Sequence, residues 1–122
     1  MRGKNSTIGV MESKFADKVW EIAPVPSSVL VKWAQEELSW ANTTTYTVLR
    51  RLCEKGLFKT EHATVSTLIS RKDFYANECV KFIDANFEGS FSDFFDAYIT
   101  KKELNEDDVE AVKEYLKDRG LI

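Results

Sequence analysis

Apolar residues recur three and four positions apart through most of this chain, the spacing of a helix with one buried side. Phe15, Val19 and Ile22, with Trp20 alongside, predict a first helix over residues 10–22. Pro24 and Pro26 stop it, because proline lacks an amide donor and disfavours a helical residue before it. Ser27 and Ser28 are expected to cap a second helix that runs through Leu38, with Leu30, Trp33, Ala34 and Leu38 on its apolar face.

A third helix is expected from Asn42, its cap, to Lys55, with Val48, Leu49, Leu52 and Cys53 as the core stripe. Gly56 ends it in the left-handed conformation that glycine tolerates. Residues 57–60 and 65–70 read as short strands, joined by Glu61-His62-Ala63-Thr64 as a hairpin loop. Three helices, a glycine stop and a hairpin, in that order, predict a winged helix-turn-helix over residues 1–70. In that arrangement the third helix enters the major groove and the hairpin reaches the flanking backbone. The leucine stripe holds the helix on the domain, while Thr43, Thr44, Tyr46 and Thr47 project outward near its N-terminus. Short hydroxyls there approach phosphates and base edges without obstruction, and the positive helix end favours a phosphate. Arg50 and Arg51 lie one to two turns further on, within reach of phosphate or guanine, and Lys59 and His62 sit in the wing.

From Ser70 the pattern is helical again. Ser70 and Asp73 resemble a capping box for a helix with Tyr75, Cys79, Phe82 and Ile83 on one face, and Gly89 breaks it. Ser90 caps a short aromatic helix with Phe91, Phe94, Phe95 and Tyr98. Asn105 caps the last helix, which has Glu106, Asp107 and Asp108 in its first turn, Lys117 and Arg119 in its last, and Gly120 as its stop. The fold class is therefore mainly α with a small β-hairpin, a winged helix followed by a helical region over residues 71–122.

Charge sharpens this division. Residues 1–72 hold 11 Lys/Arg against 7 Asp/Glu, whereas residues 73–122 hold 6 against 13, within a formal net charge of −3. Only the first part is suited to a polyanion. No apolar run approaches a membrane span, and the N-terminal stretch MRGKNSTIGVMESKF lacks the core of a signal peptide, so a cytoplasmic protein is expected. Cys53 and Cys79, expected as buried free thiols, and the single His62 are too few for a Cys/His metal site. No convergent polar constellation indicates an enzyme: Asp93 and Asp96 read as solvated surface, and the acidic run after Asn105 as capping. No cofactor is expected. A winged helix can also serve as a protein-interaction module, which leaves two function classes open.

The segment Trp40-Ala41-Asn42-Thr43-Thr44-Thr45-Tyr46-Thr47-Val48-Leu49-Arg50-Arg51-Leu52, followed by Glu54-Lys55-Gly56-Leu57, resembles the W-S-x-x-T-V-x-T-L-L-x-R-L-x-x-K-G-L motif of the penicillinase-repressor (BlaI/MecI/CopY) family. Upstream, Glu12, Phe15, Ala16, Val19 and Trp20 resemble that family's first helix. Downstream, Lys101-Lys102-Glu103-Leu104-Asn105 and the acidic helix resemble its dimerisation region. The resemblance implies a bacterial homodimer whose winged helices each read half of a palindromic double-stranded DNA operator. Thr44, Thr47 and Arg51 match the motif's T, T and R. Ala41 replaces its capping Ser, and Tyr46 stands where the family commonly has a basic residue. Phe82, Phe87, Phe91, Phe94, Phe95, Tyr98, Val109, Val112 and Leu116 are the expected dimer contacts. The copper branch's paired C-x-C motifs are missing here. An upstream protease or sensor is a partner in the penicillinase branch, but the Asn-Phe bond cut there reads Ala97-Tyr98 in this chain.

Overall fold

The computed structural model describes residues 8–122. Residues 1–7, which include Arg2 and Lys4 of the basic surplus and the start of the stretch weighed as a signal peptide, lie outside them. In chain order the elements are α1 (Val10–Ile22), β1 (Val25–Pro26), α2 (Ser27–Glu37), α3 (Asn42–Glu54), β2 (Phe58–Glu61), β3 (Thr64–Thr67), α4 (Arg71–Phe87), α5 (Phe91–Lys101) and α6 (Glu106–Asp118). The protein is mainly helical, with a small antiparallel sheet ordered β1-β3-β2. The chain divides into two compact units between Cys79 and Val80, inside α4. No helix among the described residues is long and apolar enough to cross a membrane.

In the first unit α1 turns Phe15, Ala16 and Val19 inward, α2 adds Leu30 and Ala34, and α3 adds Val48, Leu49 and Leu52. Leu57, Phe58 and Val65 close this core from the sheet side. Burial of apolar surface, worth roughly 25 cal/mol per Å², is the term that holds α3 on the domain. Between α2 and α3 the chain turns through Ser39 at φ 58, and the Trp40 amide donates to the Ala34 carbonyl at 3.2 Å. Gly56, at φ +88, ends α3 as expected. Its amide donates to Cys53 (3.0 Å) and that of Leu57 donates to Leu52 (3.1 Å), the paired bonds of a Schellman cap.

The hairpin is tighter than the sequence suggests. Glu61 pairs with Thr64 and Phe58 with Thr67, so the loop is His62-Ala63 alone and the second strand stops short of Ser70. Both loop residues have positive φ, 52 and 61, the φ signature of a type I′ turn, whose twist matches that of the strands. The third strand, β1, was not expected. Val25 pairs with Val65 and Pro26 with Thr64, on an edge where a proline withholds no needed donor.

Two helix starts also differ from expectation. α2 begins at Ser27 and α3 at Asn42, so Pro26 and Ala41 are the caps and neither helix has a side-chain cap. Pairing of β1 carries extended backbone right up to Ser27, whose amide donates to the Ala63 carbonyl at 2.9 Å. Ala41 is likewise extended, at ψ 157, which places Asn42 one position inside the helix instead of at its cap. The other three caps use the expected side chains: Ser70 accepts from the Asp73 amide, one half of the box read there, Ser90 accepts from the Asp93 amide, and Asn105 with Asp108 makes a full capping box.

The second unit is built differently, with no buried residue in α5 or α6. Phe82, Phe87 and Phe94 meet in near edge-to-face contacts, continued by Phe91, Phe95 and Tyr98 at centroid distances of 5.7–6.4 Å. Phe82 is still 52% exposed, Phe91 63% and Tyr98 47%. Val109 and Val112 are exposed and Leu116 is half-buried. Cys79, expected to be buried, is exposed, because the face of α4 that carries it is left open; Cys53 is half-buried.

Candidate nucleic-acid interface

α3 has one face for the core and one for solvent. Thr45, Val48, Leu49 and Leu52 are buried, whereas Asn42, Thr43, Thr44, Tyr46, Arg50 and Arg51 are exposed and Thr47 is half-buried. The row of hydroxyls is thus split by helical phase. Thr45 belongs to the core and returns its Oγ1 to the Ala41 carbonyl at 3.4 Å, while its neighbours face out. No side chain caps the first amides of α3, so that end keeps its partial positive charge and its free donors.

The outer face has two flanks. On one, Thr43, Thr44, Thr47, Val48 and Arg51 share a depression with Glu12 of α1. On the other, Tyr46, Leu49, Arg50 and Cys53 line a mainly apolar depression with Ser27 and with Thr60 of the wing. Lys59 lies on β2 and His62 at the hairpin tip, both exposed. The expected residues are therefore distributed over one helix face and the adjoining wing.

Three cations on this surface have carboxylate partners. Arg50 Nε lies 3.9 Å from Glu54, Lys59 Nζ 3.5 Å from Glu61, and Arg51 Nη1 donates to Glu12 Oε2. The Glu12 partner lay beyond sequence reasoning, since 39 residues separate it from Arg51. Its only trace was its place in the first-helix motif. Hydroxyls, one flat phenol ring and cations suit the donor and acceptor edges of a polyanion. Among the described residues no group of three or more His, Cys, Asp or Glu could hold a metal ion.

A comparison with individual curated proteins gave no match. The family model described as "Penicillinase repressor" matches residues 8–118, nearly the whole chain and both of its units. The chain belongs to the penicillinase repressor family, whose members are transcriptional regulators and not enzymes.

Proposed function

We propose that this protein is a cytoplasmic repressor that binds double-stranded DNA as a homodimer, each winged helix reading one half of a pseudo-palindromic operator. The observation that carries the reading is the division of α3, with its leucine stripe buried and Thr43, Thr44, Tyr46, Thr47 and Arg50 turned outward. Thr44, Tyr46 and Thr47 take base edges or the phosphates beside them. Asn42 and Thr43 bring a phosphate to the uncapped amides of the first turn. Arg50, Lys59 and His62 contact the backbone on the wing side.

The homodimer draws support from the second unit. Its aromatic chain is partly exposed and its last two helices hold no fully buried residue, which is more apolar surface than a lone chain normally leaves in water. A second copy packed on the same residues covers it, with residues 71–122 as the dimerisation region. The carboxylates paired with Arg50, Arg51 and Lys59 favour a second reading, a winged-helix interaction module, because they lower the net charge of the face.

Selection from a random duplex pool, followed by titration of the selected duplex at several salt concentrations, separates the two. A repressor shows log Kobs falling linearly with log salt. Its footprint has two half-sites about one helical turn apart, or a small multiple of that. Failure to enrich any duplex, or salt-independent binding, sinks the DNA reading.

A further inference from the structure

The carboxylate partners of the three cations beside α3 are not equivalent. Arg50 with Glu54 and Lys59 with Glu61 are pairs of side chains each about half exposed or more, at 3.9 and 3.5 Å. Such pairs contribute little, and a phosphate readily displaces the carboxylate. Arg51 instead reaches off its own helix to Glu12 of α1, whose side chain is only 21% exposed. A partly shielded carboxylate without its partner would be left charged in a poorly solvated place, so Glu12 holds Arg51 more firmly than Glu54 holds Arg50. The same carboxylate repels a phosphate that approaches from its side. Both residues line the depression that Thr43, Thr44 and Thr47 line.

We propose that Glu12 is a positioning residue that sets DNA sequence discrimination: it withholds Arg51 from incidental phosphates and holds the guanidinium beside Thr44 and Thr47 for a base edge. The role presupposes the DNA reading above. A free arginine on a reading face strengthens binding to every duplex, because every duplex carries phosphates. A tethered one contributes where a base edge of suitable geometry reaches it, the O6/N7 edge of guanine above all.

The test uses the full chain, a duplex selected by the wild-type protein, and a scrambled duplex of the same composition. Glu12→Gln keeps the side chain's shape and removes its charge. It is expected to raise affinity for the scrambled duplex several-fold and to steepen its salt slope by about one unit per protomer. The ratio of selected to scrambled affinity then falls by about tenfold, the size of a modest base-discrimination effect. Arg51→Gln should weaken the selected duplex and leave the scrambled salt slope unchanged, and the double variant should show no such gain. If Glu12→Gln does not fold, Arg51→Gln reads the same pair from the other side.

Parallel shifts on both duplexes, or none, would make Glu12 a structural tether only and overturn the role. A scrambled salt slope that flattens in Arg51→Gln would make Arg51 an ordinary phosphate ligand and overturn it as well. Wild-type protein that enriches no duplex refutes the repressor reading itself, and the role of Glu12 with it. That failure is seen before any variant is made.

Discussion

The Trp20 indole N–H donates to the backbone carbonyl of Ile69 at 2.9 Å, closing a gap of 49 residues between α1 and the segment that leads into α4. The same ring meets Phe58 edge-on at 5.3 Å and packs against Phe74 at 5.8 Å and Tyr75 at 6.2 Å. One side chain thus ties the first helix, the wing strand and the first turns of α4 together. Trp20→Phe keeps most of the apolar area and leaves the Ile69 carbonyl without this donor. The expected cost is roughly 1–3 kcal/mol, the penalty for stranding a partly buried acceptor. Urea denaturation measures it, and an unchanged midpoint would show that water replaces the indole at no cost.

Beside that cluster, Arg71 Nε donates to Asp17 Oδ1 at 2.8 Å and its guanidinium lies 4.8 Å from the centre of the Tyr75 ring. Burial pushes the Tyr75 hydroxyl above its ordinary pKa of 10.0, Asp17 adds to the rise, and the opposing pull of Arg71 is smaller. A raised acid pKa means that the folded state favours the neutral phenol. That contribution is complete below the unfolded value and is lost as pH rises through the folded one. Stability should therefore fall as pH rises past the unfolded value of 10.0 and through the raised folded one, and Tyr75→Phe should make that fall shallower. Denaturant unfolding across the range checks it; equal slopes for the two proteins would remove Tyr75 from the account.

The outline of the winged unit was legible because each of its helices carries apolar residues at helical spacing and strong stops, Pro24 and Gly56, follow the first and the third. What escaped was decided by pairing across the chain. β1 contains two residues, one of them proline, and is a strand only because Val65 and Thr64 lie opposite. The cap expected at Asn42 moved to Ala41 because backbone geometry, not side-chain chemistry, sets the first turn. Within the site, the outward hydroxyls followed from helical phase, which also sends Thr45 inward. Glu12 could not be placed from its own helix, since its partner belongs to another.

Two positions with positive φ should respond to substitution with opposite signs. Gly56 closes α3 at φ +88 with open space where a Cβ would stand, so Gly56→Ala meets no clash and costs only backbone strain. Its expected cost is roughly 1–2 kcal/mol. Ala63 already bears that strain at φ 61 in the hairpin tip, and Ala63→Gly should relieve it. The gain is smaller, about 0.5–1 kcal/mol, because glycine also frees the unfolded chain. Thermal melts of the two variants should move in opposite directions; a shift to lower temperature in both would mean that the turn prefers its alanine.

Two groups of side chains on and beside α3 should separate discrimination from general affinity. Tyr46 and Thr47 stand on its outer face, one exposed and one half-buried, and replacing either by Ala leaves the leucine stripe in place. On a selected duplex each change should cost roughly 1–3 kcal/mol per half-site, with little effect on scrambled DNA. Arg50 and Lys59 are held only by exposed partners and should behave otherwise. Arg50→Gln or Lys59→Gln should weaken selected and scrambled duplexes alike and flatten the salt slope by about one unit for each phosphate no longer neutralised. Circular dichroism on each variant establishes that the fold persists. If Tyr46→Ala and Thr47→Ala leave selected-duplex binding intact while the fold survives, α3 is not the reader. The interaction-module reading then takes its place, because the same exposed face would have to serve a protein partner instead.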